Sequence, residues 1–278
     1  MEMKRKVLIT VVSFIVAFIS KSNINWMELD KNCWDKVLLK EITYDLAMGV
    51  FSAMILIWCV DVISEYLEKR IAQKKELETI CRIDKVLQHY ISRYQRLFHH
   101  VVTPICDRKV DSYDIPSHFS MQQMRDLYKS TYRAEYGVGD SAILLFLQSE
   151  QELKEQISLL LLNCEFIYHD QLQNVFVDFI DESLKFDGRS AILNASKYTM
   201  GEGKQAKKLS QFVYELLSDG SADKYREELE QDPTAQSHVI YPYIMLHNMM
   251  ENELTIIQRY QKVVGEILQN NVEKAVDN

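Results

Sequence analysis

Two carboxylate–histidine pairs stand at helical spacing in this chain: Glu165 with His169, and His247 with Glu251, each four residues apart. That spacing puts each pair on one face of a helix, and two such faces opposed could offer nitrogen and oxygen ligands to a metal. Neither pair has the Glu-x-x-His spacing of di-iron bundles, so hydrogen bonding at a core edge is the simpler reading. No metal or other cofactor is expected. A basic concentration forms a second candidate, with Arg189, Lys197, Lys204, Lys207 and Lys208 close together in a chain of net charge −8. Gly201-Glu202-Gly203-Lys204 leads into an expected helix start at Ala206, where unpaired amides and the helix dipole favour anions. The spacing and the Ser/Thr of a P-loop are missing. A solvated loop is the plain reading, and a phosphate-bearing ligand, nucleic acid or lipid headgroup the functional one. Arg93 and His99, six apart with His100 following, form the third candidate. Histidines near a helix C-terminus also sit well on its dipole, which is reason enough for them. There is no Gly-x-Ser-x-Gly, no catalytic carboxylate pair in a recognisable frame and no Rossmann fingerprint.

The elements that must position these residues begin with two apolar runs, 7–20 and 46–60, around a polar loop, 21–45. The pattern predicts a transmembrane hairpin. Residues 7–19 cover only about 20 Å as a helix against a hydrocarbon core of roughly 30 Å, a length that also suits a cleaved signal core. Phe18 beside Ala17 spoils a small-x-small cleavage site, so a retained span is expected. Tyr44 and Trp58 are placed as interfacial anchors of the second run. Lys4, Arg5 and Lys6 precede the first run and Lys69, Arg70, Lys74, Lys75 and Arg82 follow the second, which puts both termini on the cytoplasmic side of the inner membrane. Ser13…Ala17 and Gly49…Ala53 have small-xxx-small spacing, through which helices approach closely within the hairpin or between copies in a homo-oligomer. Neither run holds an ionisable residue of the kind an ion-coupled transporter needs.

With 47% apolar residues but only 8 Gly and 4 Pro in 278, the chain favours an all-α fold. The net charge argues against a body dedicated to coating nucleic acid. Cys33, Cys59, Cys81, Cys106 and Cys164 are scattered without CxxC or Cys/His spacing and read as reduced thiols. An unbroken four-residue beat predicts one helix over about 42–102, ending before Pro104. Further helices are expected over 120–136, 141–147, 149–185, 206–217, 221–230 and 240–276, with the four leucines 159–162 buried nearly all round. The expected organisation is a hairpin (1–63), a stalk helix (64–103) and a cytoplasmic helical bundle (104–278).

This order of elements, resting on the runs 7–20 and 46–60 and the helical stretch to Val101, resembles the two-transmembrane effectors of bacterial antiphage defence, including abortive-infection proteins paired with retron reverse transcriptases. The resemblance implies a toxin-like protein held inactive by a regulatory protein or nucleoprotein partner, a reverse transcriptase with its DNA product. Once released, its hairpins would assemble in membrane lipid and permeabilise it. The Arg93–His99 spacing is similar to that of HEPN-type ribonucleases, which would make these two residues assist cleavage at a 2′-hydroxyl. Tyr94 stands where that family's motif most often has a polar residue. A membrane-anchored helical sensor or scaffold is the remaining reading.

Overall fold

The structure, a computed structural model, describes residues 2–21, 36–108, 118–130, 139–203, 206–231 and 238–276. The fold is all-α apart from one two-stranded sheet. The chain divides into two compact units, Met1–Lys75 and Glu76–Asn278.

The first unit contains α1 (Glu2–Lys21) and the leading part of α2 (Lys36–Val102). The two pack antiparallel. Lys21 Nζ lies 4.7 Å over the Tyr44 ring, Phe14 meets Phe51 at 5.4 Å between ring centroids, and Val7 and Val11 share a cavity with Met54, Ile55 and Trp58. Small residues make the close approach: Ser13, Ala17 and Ala47 are buried. Ser13 Oγ donates to the Ile9 carbonyl at 2.8 Å, so its hydroxyl is satisfied within α1.

In the second unit α2 keeps one face inward. Ile80, Ile83, Leu87, Ile91, Tyr94, Leu97, Phe98 and Val101 recur every three or four residues and are all buried. Pro104 follows the helix, and the Arg108 guanidinium donates to the carbonyls of His100 and Thr103, taking up acceptors that the helix end leaves open, and also to that of Ser130. The segment expected as a helix over 120–136 is instead a short 3-10 turn, Met121–Asp126. Met121, Met124 and Leu127 are completely buried, and a three-residue repeat sets all three in one row. Residues 131–138 lie outside the described residues.

One helix covers both the segment expected over 141–147 and the first part of that expected over 149–185. Ser141 caps α3 (Ala142–Asn163) at the expected start of the 141–147 segment, its hydroxyl accepting from Leu144 N at 3.3 Å, but the helix runs on through 149 without the expected break. The break comes later, before α4 (Asp170–Lys185). Glu76 makes that break: its carboxylate accepts from Tyr168 N at 3.2 Å and pairs with His169 Nδ1 at 3.0 Å, while Phe166 turns into the core. Leu159 and Leu162 are 50% and 81% exposed, so the leucine run is not buried all round. α5 (Arg189–Asn194) and a 3-10 turn lead to β1 (Thr199–Met200), which pairs antiparallel with β2 (Lys207–Lys208). Gly201 and Gly203 between the strands have φ of 85° and 62°, a left-handed turn that β-carbons resist. α6 (Leu209–Ser218) therefore starts after β2 rather than at Ala206, followed by α7 (Ser221–Gln231) and α8 (Tyr241–Val276). α8 lies along α4, with Phe176 and Tyr260 stacked at 5.6 Å.

Candidate functional site

By length and composition α2 is the one described helix able to cross a membrane, through the apolar stretch that begins near Glu41; the apolar part of α1, Val7–Ile19, is shorter. The surface of this helix pair is apolar. Leu8, Phe14 and Phe18 on α1, and Leu46, Leu56, Trp58 and Val60 on α2, are each more than half exposed. Soluble proteins seldom leave so much contiguous apolar surface open to water. The two small-residue pairs part company here. Ser13 and Ala17 are buried in the α1–α2 interface, and so is Ala47 on α2, which is not part of either small-residue pair. Gly49 and Ala53 are exposed, and a β-carbon built on Gly49 meets nothing within 4 Å. Two residues turn a helix by about 200°, which carries Gly49 to the side away from Ala47.

Arg93 and His99 do not form a joint surface. Six residues along an α-helix leave two side chains about 120° apart. Arg93 Nη1 holds Glu152 Oε2 at 2.6 Å near the surface, whereas His99 is buried with Nδ1 3.2 Å from the Thr103 hydroxyl. Next to it, burial and then the charges of Arg108, His99 and Arg96 push His100 down to about 4. The unfolded imidazole titrates near 6.5 and binds the proton that the folded one refuses. The contribution of His100 to stability is therefore complete above about pH 6.5 and is lost as pH drops from there toward about 4. His100→Gln should flatten this part of the pH–stability profile, read as the thermal midpoint across that interval. An unchanged slope would show that His100 is not the group responsible.

The basic residues are dispersed by their partners. Arg189 turns inward to Glu150 and is not part of an exposed basic face. Lys197 Nζ donates to Asn194 Oδ1 at 2.7 Å, and Lys207 Nζ is 2.8 Å from Glu215 Oε1. Lys208 is exposed at the start of α6, and Lys204 lies outside the described residues. The proposed metal-ligand pairs are likewise committed. Glu165 is exposed in the α3–α4 connection while His169 engages Glu76. His247 is completely buried: Nε2 donates to the Phe119 carbonyl at 2.7 Å, and Nδ1 accepts from Arg226 Nη1 at 3.3 Å. Among the described residues no three His, Cys, Asp or Glu side chains gather as a metal site. Above His247 opens a polar cleft of about 590 Å³ whose walls include His118, Gln123, Asp223, Arg226, Glu227 and Glu251. Its charges are mixed and internally engaged: Asp223 accepts from Met121 N at 3.2 Å, and His118 lies 3.8 Å from Glu251.

The most unusual chemistry lies where no motif pointed. Glu150 and Glu253 are both completely buried in the second unit. Glu150 accepts from the Ser183 hydroxyl and from Arg189, and Tyr94 Oη donates to Glu253 Oε2 at 2.7 Å. Burial, and then the facing Glu150 carboxylate, hold Glu253 well above the ordinary carboxylate range. Tyr94 is also raised, by burial first and then by Glu253. The signal was present in the sequence. Glu150 follows Phe146 and Leu147 and precedes Leu153 and Ile157 on an apolar face, and Glu253 sits likewise between Met250 and Ile257. A carboxyl on a core face requires a partner, and five helices supply the partners here. The chain matches no protein-family model, no curated protein and no solved structure among those with which it was compared.

Proposed function

We propose that this protein is anchored in the inner membrane by α1 and the leading part of α2, with both termini cytoplasmic, and that it disrupts that membrane when triggered, as an effector of bacterial defence. The exposed apolar surface of the helix pair carries the reading, because lipid is the solvent that such a surface fits. The short span of α1 would thin or strain the surrounding bilayer. Gly49 and Ala53, facing away from α1, offer a close-approach face for a second copy, while Ser13 and Ala17 are used within the pair. In this reading a regulatory protein or nucleoprotein, such as a reverse transcriptase with its DNA product, restrains the protein through the second unit. The ribonuclease reading has less behind it, since Arg93 is held by Glu152 and His99 lies inside the core.

Induced expression should depolarise cells and arrest growth, and Gly49→Arg should abolish both. Gly49 lies near the leading end of the run 46–60, where an arginine can snorkel to the interface and insertion remains possible, while its long charged side chain blocks the close approach of a second helix. Membrane potential is the readout, with membrane fractionation confirming that the variant still inserts. An unchanged potential in the wild type, with the protein inserted, would overturn the effector reading for the lone protein and leave an anchored sensor or scaffold. Toxicity that survives Gly49→Arg but disappears with Arg93→Ala would instead establish the ribonuclease.

A further inference from the structure

The buried groups around Glu253 do not balance in charge or in hydrogen bonds unless a proton is added. Each helix packed there contributes one side chain: α2 Tyr94, α3 Glu150, α4 Ser183, α5 Arg189 and α8 Glu253. Ser183 does not titrate. With both carboxyls ionised, the cluster holds two negative charges against the single positive charge of Arg189. The donors are also unevenly shared. Glu150 receives Ser183 and Arg189, whose Nη2 lies 3.1 Å from Ser183 Oγ, whereas Glu253 receives Tyr94 alone. Glu253 Oε1 is buried and accepts no hydrogen bond among the described residues. Glu253 has no exposed surface, so bulk water does not reach that oxygen. An orphaned acceptor beside a second carboxylate becomes a donor once it is protonated.

We propose that Glu253 carries a proton in the folded protein, shared with Glu150, and that this proton locks α8 onto the other four helices. With it, Glu253 Oε1–H donates to Glu150, Oε2 still accepts from Tyr94, and the cluster as a whole is neutral. Loss of the proton to solvent base leaves a second carboxylate facing the first, and the one guanidinium of the cluster is bonded to Glu150. Two like charges at close range in a low-dielectric interior repel strongly, and the helix that bears one of them loosens. The folded state thus binds a proton that the unfolded chain releases near pH 4.3, so stability falls as pH rises above that value until the buried carboxyl itself ionises. This sensitivity is opposite in sign to that of His100, and it does not depend on the membrane-effector reading.

Infrared spectroscopy of the full chain in detergent tests the proposal directly, because a protonated carboxyl has a C=O stretch well separated from that of a carboxylate. The expected result is a buried-acid band at neutral pH that disappears on alkaline titration and is missing in Glu253→Gln. The glutamine carbonyl can accept from Tyr94 while its amide donates to Glu150, so this variant imitates the protonated form. Its thermal midpoint should stay level over the alkaline range in which the wild-type midpoint falls. A wild type with no acid band at neutral pH would overturn the proposal whether or not the variant folds. So would a band that persists in Glu253→Gln.

Discussion

Arg189→Met should destabilise the second unit by about 3 kcal/mol. Glu150 is completely buried, and its carboxylate is held by Arg189 and Ser183. Without the guanidinium, a charged carboxylate remains in an interior of aromatic and aliphatic side chains. Breaking a buried pair from one side costs about 3–5 kcal/mol. The lower end applies because the Arg189 side chain is 25% exposed, so water can follow into the space it leaves. The measurement is denaturant unfolding of the full chain in detergent, followed by circular dichroism, where a lower midpoint at unchanged slope reports lost stability. Adding Glu150→Met should restore part of the loss, since removing both charges leaves apolar side chains of similar length. The restoration stays partial, because Glu253 then faces a group that cannot accept its proton. Strictly additive losses would mean that the two residues do not act as a pair.

Phe146→Ala should cost about 3–5 kcal/mol, the range for deleting a buried phenyl ring. The ring is completely buried, with centroids 5.2 Å from Tyr94 and 6.1 Å from Phe98. It therefore joins α3 to α2 at the level of the Glu150–Glu253 cluster, and its removal opens a cavity beside buried polar groups. Phe146→Leu, which retains most of the volume, should cost much less in the same unfolding experiment. An alanine effect below about 1 kcal/mol would contradict the ring's place in the core.

Long-period features were legible in the chain. The four-residue beat from Leu56 through Val101 predicted α2 to its final turn, and the apolar pattern after Ile240 predicted α8 almost to the residue. Period and propensity act within one helix, so a reading of the sequence can sum them. Breaks set by distant partners were not legible. Nothing near Cys164 announces the α3–α4 break, because the carboxylate that holds it comes from Glu76. The 3-10 turn at Met121 follows from the burial of Met121, Met124 and Leu127 together, whereas the local capping signal read only as a helix start.

The candidate sites divide in the same way. Arg93, Lys197, Lys207 and Arg189 each looked available in one dimension, and each found a partner in three: Glu152, Asn194, Glu215 and Glu150. Charged side chains are long, and their partners are chosen by packing, so spacing along the chain says little about what they face. The sequence by itself determined the helical class, the long second helix and the apolar character of its leading part, all set by composition and local period. Tertiary structure alone decided that Gly49 and Ala53 face away from α1, and that Glu150 and Glu253, far apart in the chain, meet inside the core. Burial raises the cost of an unpaired charge from slight to several kcal/mol, and only the folded arrangement determines which groups are buried together.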